Sequence, residues 1–233
     1  MAFNFQTFKT RALTALLFVV VMLVGLLWNF WSFLILFTVI HFGCWFEFVK
    51  LIKKIYWSKY LGYCLFGLIY ITLPVILLIL IRDSNRGYLD RGQGFLDLGF
   101  IIPCGIIFSI WINDTMAYLV GSFIGKTPLS KISPKKTWEG TLGGAMLCVV
   151  TISLLGYFIP IAEVISVQNW AIIAALCAIF GTAGDLLESK LKRMADVKDS
   201  GSFMPGHGGF LDRFDSLLVA VPAVWVFVYF FLS

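Results

Sequence analysis

Seven apolar runs, each about long enough to cross a bilayer, leave this chain few ways to fold. They cover residues 12–28, 30–49, 60–81, 96–113, 139–160, 169–187 and 214–232. A helical crossing needs about 20 such residues, and irregular backbone cannot face lipid. The runs therefore predict an all-α integral membrane protein of about seven transmembrane helices. Composition agrees: 60% of residues are hydrophobic and 13% charged, where a soluble domain carries about a quarter charged residues. No polar stretch in the 233 residues is long enough to bury a core of its own. One polytopic membrane domain is expected, with residues 1–95 supplying N-terminal helices and 96–233 the helices that carry the charged loops.

Lys9 and Arg11 ahead of the run at Ala12 resemble the start of a signal peptide. A second apolar run follows at once, and no small-residue cleavage pattern appears near residues 28–33, so the first run reads as an uncleaved membrane helix. The segment Asp114–Gly125 is apolar enough to enter a membrane and too short to cross it, which predicts a half-helix or re-entrant piece. The five cysteines stand singly in apolar segments without metal-ligand spacing and read as packing residues.

Lys and Arg in the connections set the orientation. With the N-terminus in the cytoplasm, 15 of the 18 fall inside, and Arg82, Arg86 and Arg91 fall outside. Both charge-rich loops then face the cytoplasm and the C-terminus lies outside, in a cytoplasmic (inner) membrane. The exterior loop 82–95 shows no chemistry of its own.

The most polar stretch is Ser189–Asp215, with five Lys/Arg, four Asp, one His, four Gly and one Pro between apolar spans. Charges beside a bilayer are costly and mark function. Acids that suit a divalent cation, Asp212 and Asp215 among them, stand beside Lys192, Arg193, Lys198 and Arg213, which suit phosphates. Asp212 and Asp215 are three apart at the start of the last span, where the helix dipole alone would favour them. His207 lies between glycines, next to this Asp-Arg-Asp cluster. Asp185 and Glu188 share a helix face at the inner end of the sixth span. Glu188 could pair with Lys192, whereas Asp185 follows small residues that would admit a ligand or metal.

A second basic loop runs from Gly125-Lys126 to Ser133-Pro134-Lys135-Lys136-Thr137, then Trp138-Glu139-Gly140. Lysines, hydroxyls and a helix start near Thr137 suit a polyphosphate; the alternative is an anchor for anionic lipid heads. Its spacing is not that of a Walker A loop. Asp114 opens the short segment after the fourth span, as a cap or a functional acid, and Tyr118, Gly121 and Gly125 give that segment a small face for a ligand or a helix. His41 and Glu47, in the second span, are weaker candidates; Glu47 is expected to pair with a lysine such as Lys50. No Ser or Cys nucleophile stands with a base. The whole suits phosphoryl or nucleotidyl transfer, in which positioning and charge neutralisation supply most of the catalysis.

The stretch Ser189–Asp215 closely resembles the signature of the phosphatidate cytidylyltransferases (CDP-diacylglycerol synthases): Ser-x-aliphatic-Lys-Arg, four residues, Lys-Asp-x-small, then Pro-x-His-Gly-Gly, two residues, and Asp-Arg-x-Asp. Every fixed position is met; Met204 stands where the family usually has Leu, Ile or Phe. The run from Asp114-Thr115 through Lys135-Lys136-Thr137 to Glu139-Gly140 is similar to the family as well. The N-terminal half is similar only in hydropathy and looks shorter by one helical hairpin. The resemblance implies transfer of CMP from CTP to phosphatidate in the inner leaflet, giving CDP-diacylglycerol and pyrophosphate for phospholipid biosynthesis. The lipid phosphate would itself be the nucleophile. It implies Mg²⁺ held by Asp185 and Asp212, with Glu188 near, and room for a second, monovalent cation such as K⁺. Asp114, Asp199 and Asp215 would be supporting carboxylates. Ser133, Lys135, Lys136 and Thr137 would bind the triphosphate, with Lys198 beside them. Lys192, Arg193 and Arg213 would neutralise the lipid phosphate or the leaving pyrophosphate, and His207 would donate to a phosphate oxygen. Membrane lipids and a second copy of the chain are expected partners; nucleic acid is not. The rival readings are a CTP-dependent polyprenol or phytol kinase, which would release CDP, and a transporter, against which stand the absence of a repeat and the gathering of charge on one membrane face.

Overall fold

The computed structural model describes residues 5–83, 98–203 and 208–232, with side chains from residue 12 onward. Regular structure among them is helical: α1 (Phe5–Leu27), α2 (Phe30–Tyr56), α3 (Tyr60–Cys64), α4 (Leu73–Asp83), α5 (Leu98–Ile124), α6 (Trp138–Phe158), α7 (Val167–Met194) and α8 (Leu211–Phe231). Among the described residues, the stretches Phe30–Cys64, Leu98–Ile124, Trp138–Phe158, Val167–Met194 and Leu211–Phe231 are long and apolar enough to cross a membrane, and Ala12–Leu27 is a shorter apolar helix. This is a multi-pass membrane protein. The expected third crossing, 60–81, is a broken helix: α3, a π turn at Leu68–Thr72, then α4. Pro74, one residue into α4, has no N–H for the carbonyl of Tyr70, four residues back, and the wider turn lies at that point.

The segment after Asp114 is no separate half-helix; it is the C-terminal part of α5, 27 residues without a break. Thr115 Oγ1 and Ser122 Oγ donate to the carbonyls four residues back, at 2.7 and 2.6 Å, so the polar residues fold onto the helix instead of ending it. At 1.5 Å per residue α5 is about 40 Å long, more than the roughly 30 Å of a hydrocarbon core.

By compactness the chain divides into two units, residues 1–71 with 191–214, and residues 72–190 with 215–233. In the first, Asn29 caps α2 with a reciprocal box: Ser32 N–H donates to Asn29 Oδ1 at 2.8 Å, and Asn29 N–H to Ser32 Oγ at 3.1 Å. The buried stripe of α2 is Phe33, Phe37, Ile40, Cys44, Glu47, Phe48 and Leu51, one face of a 3.6-residue period. A carboxylate occupies a core position of that stripe.

In the second unit α6 has two faces. Gly140, Gly144, Cys148, Ile152 and Gly156 are buried at four-residue spacing, while Leu142, Met146, Val150 and Leu154 are exposed, as a lipid-facing stripe must be. The glycine face is where α5 comes close: a Cβ on Gly144 would lie 2.6–2.7 Å from the N, Cα and Cβ of Ala117, and one on Gly140 would lie 2.9 Å from Gly121 Cα. This is close packing through small residues. Trp170 of α7 fills the space left by Gly105 and Gly156, either of whose Cβ atoms would run into its indole, and its Nε1–H donates to Ala162 O at 2.9 Å.

Candidate active site

In the second unit the loop between α5 and α6 is held by its own hydrogen bonds. Leu129 N–H donates to Lys136 O at 2.7 Å and Trp138 N–H to Thr127 O at 2.9 Å. Glu139, in the first turn of α6, accepts from Lys126 N–H, Thr127 N–H and Thr127 Oγ1, the last at 2.8 Å. Thr137 is the N-cap of α6, its Oγ1 accepting from Gly140 N–H at 3.1 Å. Gly121 and Gly125 make room for its hydroxyl, which accepts in the cap and keeps its own proton to donate. Ser133 accepts Lys136 N–H at its carbonyl, in a turn, and Lys135 is exposed.

That turn directs Lys136 to Asp185 on α7, with which it forms an ion pair. Ser189 Oγ, one turn on, donates to Asp185 at 3.2 Å. The small residues before Asp185 admit a helix: Ser216 of α8 lies 3.4 Å from a Cβ built on Gly181, and one on Gly184 would strike the carbonyl of Asp215. This packing brings the buried Asp215 near Asp185. Asp114, on α5, is within electrostatic reach of Lys136, Asp185 and Asp215. Lys136 thus pairs with one carboxylate and has two more within electrostatic reach, an excess of negative charge that gains from a bound cation. Among the described residues no three His, Cys, Asp or Glu side chains converge as ligands of one ion. Mg²⁺ does not require that, since it takes one or two carboxylates and completes its shell with water and phosphate oxygens. The donor set fits such an ion. Glu188, on the same helix as Asp185, is fully buried.

The first unit holds the other cluster. Asp212, in the first turn of α8, is held at both oxygens: Oδ1 accepts from Lys192 Nζ at 2.6 Å, and Oδ2 from Ser200 N–H and Gly209 N–H, each at 2.8 Å, with Ser200 Oγ at the same distance. Through these bonds Asp212 anchors Lys192 and the backbone at 200 and 209. Gly208 has φ +85°, and a Cβ on it would lie 2.6 Å from Asp212 Oδ2, so both conformation and space demand glycine. Arg193, Lys198, Asp199 and Arg213 are exposed. His207, with Pro205 and Gly206, lies outside the described residues, as does most of the exterior loop.

Two residues gain weight from the geometry. Glu47 is not a partner of Lys50: its carboxylate accepts from Ser200 Oγ, Phe210 N–H and Leu211 N–H at 2.7, 3.0 and 2.9 Å. The sequence signal was its place on the apolar stripe of α2. Ser200, a free position in the signature, announced nothing. His41 makes edge-on ring contacts with Phe42 and Trp45.

The profile of the cytidylyltransferase family matches residues 59–231, about three quarters of the chain. The chain belongs to the cytidylyltransferase family. Three relatives illustrate the similarity. A phosphatidate cytidylyltransferase of Bacillus subtilis (strain 168) is 38% identical over 186 residues, covering 78% of this chain and 62% of the relative. One from Synechocystis is 42% identical over 136 residues, 56% of this chain and 44% of the relative. Phosphatidate cytidylyltransferase 4, chloroplastic, of Arabidopsis thaliana is 40% identical over 138 residues, 59% of this chain and 34% of the relative. This cytidylyltransferase-family chain thus spans less than two thirds of the length of the relatives it matches. The profile includes both clusters except for Glu47.

Proposed function

We propose that this membrane protein transfers CMP from CTP to phosphatidate, forming CDP-diacylglycerol and pyrophosphate. A phosphate oxygen of the lipid attacks the α-phosphorus of CTP, and the bond from that phosphorus to the oxygen bridging to the β-phosphate breaks. The observation that carries the reading is the Lys136–Asp185 ion pair in the second unit, with Asp114 and Asp215 within electrostatic reach: carboxylates for a cation beside a lysine for phosphates. The names of the relatives support the choice of CTP and phosphatidate as substrates.

In this reading Asp185, with Asp114 and Asp215 beside it, holds Mg²⁺. When bound, that ion supplies charge neutralisation and orientation of the triphosphate. Lys136 exchanges its pairing with Asp185 for a phosphate oxygen, and Lys135 with the backbone near Ser133 extends the grip. Lys192, held on Asp212, presents its ammonium group to the lipid phosphate or the leaving pyrophosphate, with Arg193 and Arg213 near it in sequence. The Lys/Arg distribution supports a cytoplasmic N-terminus and an exterior C-terminus in the inner membrane. The test is turnover of purified protein with CTP, phosphatidate and Mg²⁺ in detergent micelles. A lipid-soluble cytidine product and pyrophosphate in equal amounts, both lost with EDTA, are expected. CDP release on supplying a polyprenol, with neither of those products, would replace this reading by the lipid-kinase one.

A further inference from the structure

Glu47 is 4% exposed, on a stripe of α2 that is otherwise apolar. A carboxylate there is costly unless its oxygens are met, and they are. Oε1 accepts from Phe210 N–H, while Oε2 accepts from Leu211 N–H and from Ser200 Oγ. The two amides belong to the start of α8, so the acid also faces the favourable end of the helix dipole. Ser200 Oγ lies within 2.8 Å of both Glu47 Oε2 and Asp212 Oδ2. Its single proton serves one carboxylate at a time, so the hydroxyl stands between the two acids and is shared by them. Asp212 in turn holds Lys192 Nζ at 2.6 Å. Glu47, Ser200, Asp212 and Lys192 form an unbroken chain of polar contacts inside the first unit.

Two glycines of the signature segment are explained by the same acid. A Cβ on Gly201 or Gly209 would collide with the Glu47 carboxylate. Yet Glu47 precedes residues 59–231, which the family profile matches. We propose that Glu47 is a positioning residue of the active site: it holds residues 200–201 and 209–211 so that Asp212 presents Lys192 in one fixed place. This rests on the proposed role of Lys192 in phosphate binding.

The test is a double-variant cycle of Glu47→Gln with Lys192→Gln, read as kcat, with amide hydrogen exchange at Phe210 and Leu211. The glutamine keeps the shape but turns an NH₂ group toward a backbone or hydroxyl donor. A fall in kcat of about tenfold or more is expected, with faster exchange at the two amides. The double variant should be no slower than Lys192→Gln alone, since both changes break one chain. Additive losses, wild-type kcat in Glu47→Gln, or wild-type kcat in Lys192→Gln would each overturn the proposal. If Glu47→Gln does not fold, Ser200→Ala replaces it in the cycle and must show the same non-additivity; additive losses there are equally contrary. Failure of the functional reading looks different: the wild-type protein would then make no CDP-diacylglycerol at all, while exchange at Phe210 and Leu211 would still report the hold of Glu47.

Discussion

At the scale of single residues, the ion pair of Lys136 and Asp185 joins the loop before α6 to α7. The sequence offers Asp185 and Lys136 as candidates without pairing them; the loop bonds of Leu129 and Trp138 set the lysine on that acid. Both side chains keep 29% of their surface exposed, so the pair adds little to stability. Asp185→Asn is therefore expected to lower turnover by about 100-fold or more while the Tm in detergent shifts by no more than about 3 °C. Comparable loss of Tm and activity would make Asp185 a folding residue instead. Glu47 stayed hidden because the nearest candidate partner in sequence is Lys50, while its actual partners lie over 150 positions away. Thr137 caps α6 by accepting from Gly140 N–H, and its own hydroxyl proton stays available for a phosphate oxygen, so one hydroxyl near a helix start suits both roles.

At the scale of elements, apolar runs located the helices but understated their length. α2 continues past residue 49 to Tyr56, and α7 past 187 to Met194. Each extension is rich in Lys or Arg, which a helix C-terminus favours. The hydrophobic run ends where hydrocarbon would end, and the backbone has no reason to stop there. The small face around Gly121 was open to a ligand or a helix; the structure fills it with α6. That packing is sharply testable. Gly144→Ala would press a methyl group into the Ala117 backbone, at an expected cost of about 1–3 kcal/mol. Gly62→Ala, with nothing within 4 Å of the added Cβ, should be neutral or stabilising by up to about 1 kcal/mol. Thermal unfolding of both variants in one detergent checks the contrast; equal losses would deny that α5 and α6 meet through these small residues.

At the scale of the molecule, the all-α membrane character follows from composition alone, whereas the division of the signature segment between two compact units does not. Residues 191–214 group with the N-terminal helices and Asp215 with the other unit, a grouping made by packing rather than by chain order. Orientation rests on charge counting and can be read directly. With the five native cysteines replaced, Glu163→Cys should react with an impermeant maleimide added outside cells, and Lys131→Cys only after lysis. The reverse pattern would invert the topology and remove CTP's access from the cytoplasm. Attack of the lipid phosphate on the α-phosphorus of CTP fixes the fate of each phosphorus. CTP labelled at the α-phosphorus or at the γ-phosphorus is supplied with phosphatidate, and the lipid fraction is counted. Label in the lipid from the α position only is the predicted result. Label from the γ position, with CDP left behind, would contradict it.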